Sequence, residues 1–142
     1  MKGMFVLAAS ALIAASFPAT AAPRVALASK VYVEQVGDSG RVLQPAARLR
    51  PGDRVVTIVT WKREAPEGGT FTVTNPLPRA LLFEGSAEDS QDVSVDGGRT
   101  WGRIGTLRLA GRLATPEDVT HVRWRIATPA PQGRIAYSAI VR

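Results

Sequence analysis

Apolar and polar residues alternate in short runs along most of this chain, and turn-forming residues separate the runs. Strands that recur about every 8–12 residues with turns between them are typical of a β-sandwich or a β-barrel. The alternation is clearest from Val119 to Ile126, where Val122, Trp124 and Ile126 are predicted to face the core. A slip of one residue would bury charged side chains without partners, so the register should be well specified. The pattern therefore predicts an all-β protein.

Together with the other runs, this strand is predicted to form a single immunoglobulin-like antiparallel β-sandwich. Arg54 to Trp61 is apolar on both faces, which favours a strand in the middle of the fold. Arg134 to Arg142 alternates like a last strand, whereas Thr115 to Asp118 should form at most one helical turn. The remaining predicted strands are Val31–Val36, Arg41–Leu43, Thr70–Thr74, Leu81–Phe83, Asp92–Asp96 and Thr100–Leu109. The predicted core includes Trp61, Phe71, Val95, Trp124 and Tyr137.

The N-terminal residues have the pattern of a signal peptide. Lys2 precedes an uncharged apolar run from Gly3 to Phe17, and the small residues Ala19-Thr20-Ala21 supply a cleavage site. The run is shorter than the roughly 20 residues of a membrane-spanning helix. We expect residues 1–21 to be removed on export, 22–29 to be a loose segment and 30–142 to form the sandwich. The mature protein should work in the periplasm, at the cell surface or in the medium.

Composition narrows the function classes. The chain has no cysteine, so it has no thiol for disulfides, zinc or nucleophilic catalysis. After removal of residues 1–21, seventeen basic residues face twelve acidic ones, a net charge of +5. An exported basic protein rarely meets nucleic acid, so the charge favours an anionic polysaccharide, lipopolysaccharide or an anionic outer leaflet as partner. The alternative is that the charge only keeps the protein soluble. An envelope protein is the other expected partner. No second apolar stretch approaches transmembrane length.

One short motif predicts a hairpin turn. Ser94 to Trp101 fits the pattern S-x-D-x-G-x-T-W, which resembles the Asp-box of sialidases and other propeller proteins. Asp96 should accept backbone N–H bonds across the turn, and Gly97-Gly98 should permit positive φ angles. The motif occurs once in a chain too short for a propeller, so it predicts a hairpin and no sugar chemistry.

Candidate chemical residues are few. His121 is the only histidine, with neither a second histidine for a metal nor a neighbouring carboxylate to orient it. A small acidic cluster near one loop consists of Glu84, Glu88, Asp89 and Asp92. Its spacing matches no calcium-binding loop, so we interpret these side chains as solvated. We therefore expect no catalytic residue, no metal and no cofactor.

One pattern in the sequence indicates a binding function, and it is a set of arginines near the C-terminal end. If Val119–Ile126 and Arg134–Arg142 pair as a hairpin, their outward residues share one face. That face would hold Arg123, Arg125, Arg134 and Arg142. Arginine side chains in such an array can bind sulfate, phosphate or carboxylate groups. The alternative is that these charges only protect an exposed sheet from aggregation.

Several segments taken in order resemble the bacterial conserved-repeat family of immunoglobulin-like surface domains. A P-G-D turn opens a strand, N-P-L-P ends a later one, and V-R-W lies in a strand near the end. The matching segments are Leu49–Val56, Val73–Pro78, Leu82–Ser86, Val93–Gly98 and Val119–Trp124. The resemblance implies a β-sandwich of secreted and envelope proteins that serves as a spacer or adhesion module, and it brings no catalytic residues.

These features predict an exported, non-enzymatic structural or interaction module of the bacterial cell envelope. The second hypothesis is a protein that binds anionic glycan or lipopolysaccharide through the arginine face. The third is a hydrolase, which would require two carboxylates facing each other in a concave pocket.

Overall fold

The computed structural model describes residues 24–64, 69–88 and 90–142. These residues form antiparallel strands and one short 3-10 turn at Pro116–Asp118. The strands are β1 (Val25–Gly37), β2 (Gly40–Pro45), β3 (Arg54–Arg63), β4 (Phe71–Pro76), β5 (Leu81–Ser86), β6 (Gln91–Ser94), β7 (Arg108–Leu109), β8 (Arg112–Leu113), β9 (His121–Ile126) and β10 (Gln132–Val141). The predicted all-β class is confirmed. The predicted signal peptide, with Ala22 and Pro23, lies outside the described residues.

The described strands form two main sheets and a two-stranded ribbon. The larger sheet has the order β2-β1-β3-β10-β5, the smaller β4-β9-β6, and the ribbon pairs β7 with β8. A constant-type immunoglobulin domain divides four strands against three, whereas the division here is five against three. The chain crosses to the smaller sheet at β4, returns to the larger sheet at β5, adds β6 and β9 to the smaller sheet and ends with β10 in the larger one.

The core lies between the two sheets. The inward residues of β9 and β10 are buried as the alternation predicts, and Trp124 is 0% exposed. Of the five predicted core residues, four are buried, and Phe71 is half-buried against the core. β3 lies in the middle of the larger sheet, as expected, but Val56 and Ile58 on its outer face remain half-exposed. The sandwich therefore has two layers, and no further described layer covers that face.

The structure corrects three predictions about local elements. Residues 25–29 were expected to be loose, but β1 begins at Val25 and pairs with β3 from Val25↔Arg63 onward. The arm expected at Thr100–Leu109 is mostly turns, with one bridge between Val93 and Gly102. The hairpin expected between the last two long strands is wrong, because β9 pairs with β4 and β6 whereas β10 pairs with β3 and β5. Within the described ranges, no helix is long and apolar enough to cross a bilayer.

Candidate functional site

The four arginines expected to share a face do not share one. Arg123 and Arg125 lie on β9 in the smaller sheet, whereas Arg134 lies on β10 in the larger sheet. Arg142 follows β10 at the end of the sandwich, where its guanidinium donates to the carbonyl of Glu117 at 2.8 Å. The premise of the shared face fails because the connection from β9 to β10 crosses from one sheet to the other.

Arg123 is engaged with its neighbours on the outer face of the smaller sheet. Its guanidinium carbon lies 4.4 Å from the centroid of the Trp101 ring, and its Nη2 lies 3.2 Å from Asp92 Oδ2. The Trp101 ring also meets His121 edge to face, with centroids 6.3 Å apart. Arg123 therefore holds the indole against the sheet, which a planar guanidinium does well because it stacks on aromatic faces.

The turn predicted at Ser94 to Trp101 is confirmed. Asp96 Oδ1 accepts the backbone N–H groups of Arg99 at 3.1 Å and Thr100 at 2.9 Å, and Asp96 Oδ2 accepts the Thr100 hydroxyl at 2.7 Å. The hydrogen bonds from Thr100 lower the pKa of the Asp96 carboxyl well below its ordinary value. Trp101 Nε1 donates to the Gly98 carbonyl at 3.0 Å, which fixes the ring over the turn. Both carboxylate oxygens are thus used by the turn itself.

The remaining candidate chemical groups are separated from one another. His121 Nδ1 lies 3.0 Å from the Thr120 hydroxyl. In the acidic cluster, Glu84 pairs with Arg54, Asp92 with Arg123, and Glu88 with the Ser86 hydroxyl. Asp89 lies outside the described residues. Among the described residues no three His, Cys, Asp or Glu side chains group as a metal site would require.

A charge network on the outer face of the larger sheet was not predicted. Arg54 on β3 bridges Glu34 on β1 at 2.9 Å and Glu84 on β5 at 2.6 Å. Arg41 adds a contact of 3.2 Å to Glu34. Hydrogen bonding to Glu84 raises the pKa of Arg54. Only the strand order β2-β1-β3-β10-β5 brings these residues onto one face, so no local sequence signal could have found the network.

Arg63 is a second residue that the sequence did not single out. Although charged, it is 7% exposed and lies on the inner face of β3. Its guanidinium donates to the carbonyls of Ala130, Gly69 and Thr128 at 3.1, 2.8 and 2.8 Å. It also lies 4.8 Å from the centroid of the Phe71 ring. Arg63 thus closes one end of the core and binds backbone on both the β3–β4 and the β9–β10 connection.

The surface best suited to binding is one flank of the sandwich, which we call the open side. The smaller sheet ends at β4, where Phe71 packs on Trp61 of β3 with ring centroids 5.2 Å apart. The larger sheet continues past β3 to β1 and β2. Part of its inner face there is not covered by described residues, since Leu27 is 53% and Val31 38% exposed, whereas Val25 and Val33 on the same face pack against the core.

The open side also contains a strand edge. Among the described strands β4 pairs only with β9, so its other edge faces the space above β1. Leu27, Ser29 and Val31 line the inner face of β1, and Val42 of β2 adds to it, because alternate residues of a strand share a face. An edge strand presents unpaired N–H and C=O groups to an incoming chain. An apolar shelf and a strand edge therefore lie side by side.

Comparison with protein-family models, curated proteins and solved structures finds no match to this chain.

Proposed function

We propose that this protein is an exported, non-enzymatic interaction module of the bacterial cell envelope, and that it binds an extended segment of a partner protein at the open side. The signal-peptide pattern of residues 1–21 and the resemblance to envelope surface domains support the location. The observation that carries the binding role is the exposed apolar inner face of β1 beside the edge of β4.

An extended strand suits this surface in two ways. Its backbone can hydrogen-bond to β4 and extend the smaller sheet, which is a recurrent mode of peptide recognition. Its alternate side chains then point towards Leu27 and Val31, so an apolar residue at every second position is favoured. Binding would remove these apolar side chains from water, and each Å² of apolar surface buried favours binding by about 25 cal/mol.

Four of the described carboxylates favour a binding role over hydrolysis because structural contacts occupy them. Asp96 is used by its turn, Glu34 and Glu84 by Arg54, and Asp118 by Arg112 at 2.7 and 2.8 Å. A glycosidase needs two carboxyl groups about 5–9.5 Å apart across a bound sugar. Glu34 and Glu84 do share a face, but Arg54 lies between them and binds both, which does not suit a pair that must protonate and attack a sugar.

Site-specific photo-cross-linking tests the proposal. A photoreactive amino acid replaces Ser29, which is exposed between Leu27 and Val31, and the cells that encode the protein are illuminated. We expect one discrete adduct, whose cross-linked peptide alternates apolar and polar residues. The variant Leu27→Lys/Val31→Lys should lose the adduct and keep its melting temperature, since both side chains are already exposed.

The matched control changes the opposite face of the larger sheet, on β1 and its neighbour β2. Val36 and Leu43 are 83% and 43% exposed and lie on the outer face, so Val36→Lys/Leu43→Lys adds the same charge away from the open side. This control should keep the adduct. An adduct that both double variants lose, no adduct at all, or an adduct of twice the chain mass would contradict the proposed partner segment.

A further inference from the structure

We propose that the outer face of the larger sheet contains a binding site for an anionic polysaccharide, in a trough bordered by Lys62 and Arg134, with Lys30 next to it on β1. The site is separate from the open side, since it lies on the other face of the same sheet. It also differs from the arginine face expected from the sequence, with which it shares only Arg134. The inference does not depend on the proposed partner segment.

The trough follows from the strand register. Leu27, Trp61 and Gly133 pair across β1, β3 and β10, and side chains at these positions turn towards the inner face. Their backbones therefore form a floor on the outer face. Rows of outward residues flank that floor on both sides, and the open trough between them has a volume of about 550 Å³. The flanking residues are Ala26, Lys62 and Gln132 on one side and Ala28, Thr60 and Arg134 on the other.

Small residues keep the trough open. Ala26 and Ala28 on β1 are exposed and reach little beyond the backbone. On the inner side, a Cβ atom at Gly133 would come within 2.5 Å of the Trp61 ring, so the close packing below fixes the position of the floor. A shallow trough that crosses three strands fits an extended polymer better than a compact small molecule.

The charges around the trough have one sign. Lys62 and Arg134 are diagonal neighbours on β3 and β10, at positions about 7–8 Å apart, so both can reach one anionic group. Lys30 continues the outer row of β1 beyond Ala28 and supplies a third cation. Within the described residues, none of the three side chains makes an ion pair.

The acidic residues of this face lie elsewhere. Glu34 and Glu84 are at the opposite end of the sheet, where Arg54 binds both of them. Glu64 follows the end of β3 and makes no ion pair with Lys62 in the part of the chain that the structure describes. The sheet thus separates a neutralised end from a cationic end. Sulfate, phosphate or carboxylate groups spaced along a polysaccharide match the cationic end, since Lys62 and Arg134 can share one group and Lys30 can bind another.

Binding titrations test the site with four probes: a heparin oligosaccharide for sulfate, lipopolysaccharide for phosphate, polygalacturonate for carboxylate, and dextran as a neutral polymer. We expect at least one anionic probe to bind and dextran not to bind. The anionic probe that binds with the highest affinity identifies the anionic group that the site prefers. Affinity should fall as salt rises, because exposed charges are screened within about 10 Å at 0.1 M.

Two triple variants separate a site from general basicity. Lys30→Gln/Lys62→Gln/Arg134→Gln should weaken binding about tenfold or more, since three exposed charge contacts are lost. Arg48→Gln/Arg99→Gln/Arg125→Gln removes the same charge from other exposed positions and should weaken binding less than about threefold. In addition, Ala28→Glu places a negative charge in the trough and should abolish binding while the melting temperature is unchanged.

Equal losses in the two triple variants would overturn the proposal, because they would leave a basic protein without a site. Absence of binding to every anionic probe would overturn it as well. Neither outcome bears on the photo-cross-link at Ser29, so the two proposals can fail separately.

Discussion

Trp124 and Tyr137 face each other across the two sheets, with ring centroids 5.9 Å apart and ring planes inclined by 33°. Trp124 lies on β9, the middle strand of the smaller sheet, and Tyr137 lies on β10 in the larger sheet. The indole N–H of Trp124 also points towards the Ser86 hydroxyl on β5, at 3.3 Å. Trp124 therefore contacts two strands of the opposite sheet.

Replacing Trp124 should be among the most damaging changes in the core. Trp124→Ala removes a fully buried indole and leaves a cavity, which should lower the free energy of unfolding by about 3–5 kcal/mol. The neighbouring Arg125→Ala removes an exposed side chain and should change it by at most about 0.5 kcal/mol. Chemical denaturation measures both values. A larger effect at Arg125 would mean that the register of β9 is wrong.

The contrast between Trp124 and Arg125 could be predicted because alternation specifies which face of a strand is buried. Turn chemistry was equally informative at Asp96, where a short carboxylate next to glycines defines its own hydrogen bonds. Both are local signals, and the sequence near each residue contains what is needed to read them.

The pairing between strands that are distant in the sequence could not be predicted from such local patterns. Alternation in β9 and β10 is the same whether they pair with each other or enter different sheets. The start of β1 was missed because Ala26, Ala28 and Lys30 have low strand propensity, and pairing with β3 outweighs it. The trough and the open side both depend on that pairing, so neither could be predicted from the sequence.

Gly133 should be intolerant of a side chain. A Cβ atom there would lie 2.5 Å from the Trp61 ring, so Gly133→Ala should displace the buried indole and cost about 1–3 kcal/mol. Gly85→Ala on β5 is the control, since a Cβ there meets no atom within 4 Å. Thermal denaturation should show a clear loss for the first variant and little change for the second. Equal melting temperatures would show that the ring is not packed on Gly133.

Arg63 should stabilise the fold through its hydrogen bonds to the loops. Arg63→Met keeps much of the apolar stem but leaves the carbonyls of Gly69, Thr128 and Ala130 without this donor, so we expect a loss of about 2 kcal/mol. Arg63→Lys should recover little, because one ammonium group cannot reach three carbonyls in the same geometry. Urea denaturation of the three proteins gives the comparison. Full recovery by lysine would show that charge alone matters at this position.

The mature protein should begin near Ala22. The uncharged run from Gly3 to Phe17 and the small residues Ala19-Thr20-Ala21 predict cleavage after Ala21. Mass spectrometry of protein recovered from the producing cells should therefore give the mass of residues 22–142. Replacing Ala21 by a bulky residue such as Phe should block processing, whereas the same change at Ala22 should have a smaller effect. Exported protein that retains Met1 would contradict this prediction.

Asp96 should make stability depend on acid pH. Hydrogen bonds from Thr100 and Ser94 lower the pKa of this carboxyl in the folded chain relative to the unfolded chain, where it is about 3.9. A carboxyl with a lowered folded-state pKa contributes its full stabilisation above the unfolded-state value, and this contribution is lost as the pH falls below about 4. Asp96→Asn should therefore melt at a lower temperature than the parent at pH 7, and the difference should shrink towards pH 2.

Asp118, whose pKa is lowered by Arg112, should preserve part of the acid dependence in that variant. Asp38→Asn is the control, because the Asp38 side chain makes no ion pair or side-chain hydrogen bond with the described residues. Melting curves of the three proteins from pH 2 to pH 7 measure the effect, and a constant gap between parent and Asp96→Asn would show that the carboxylate charge is not what stabilises the turn.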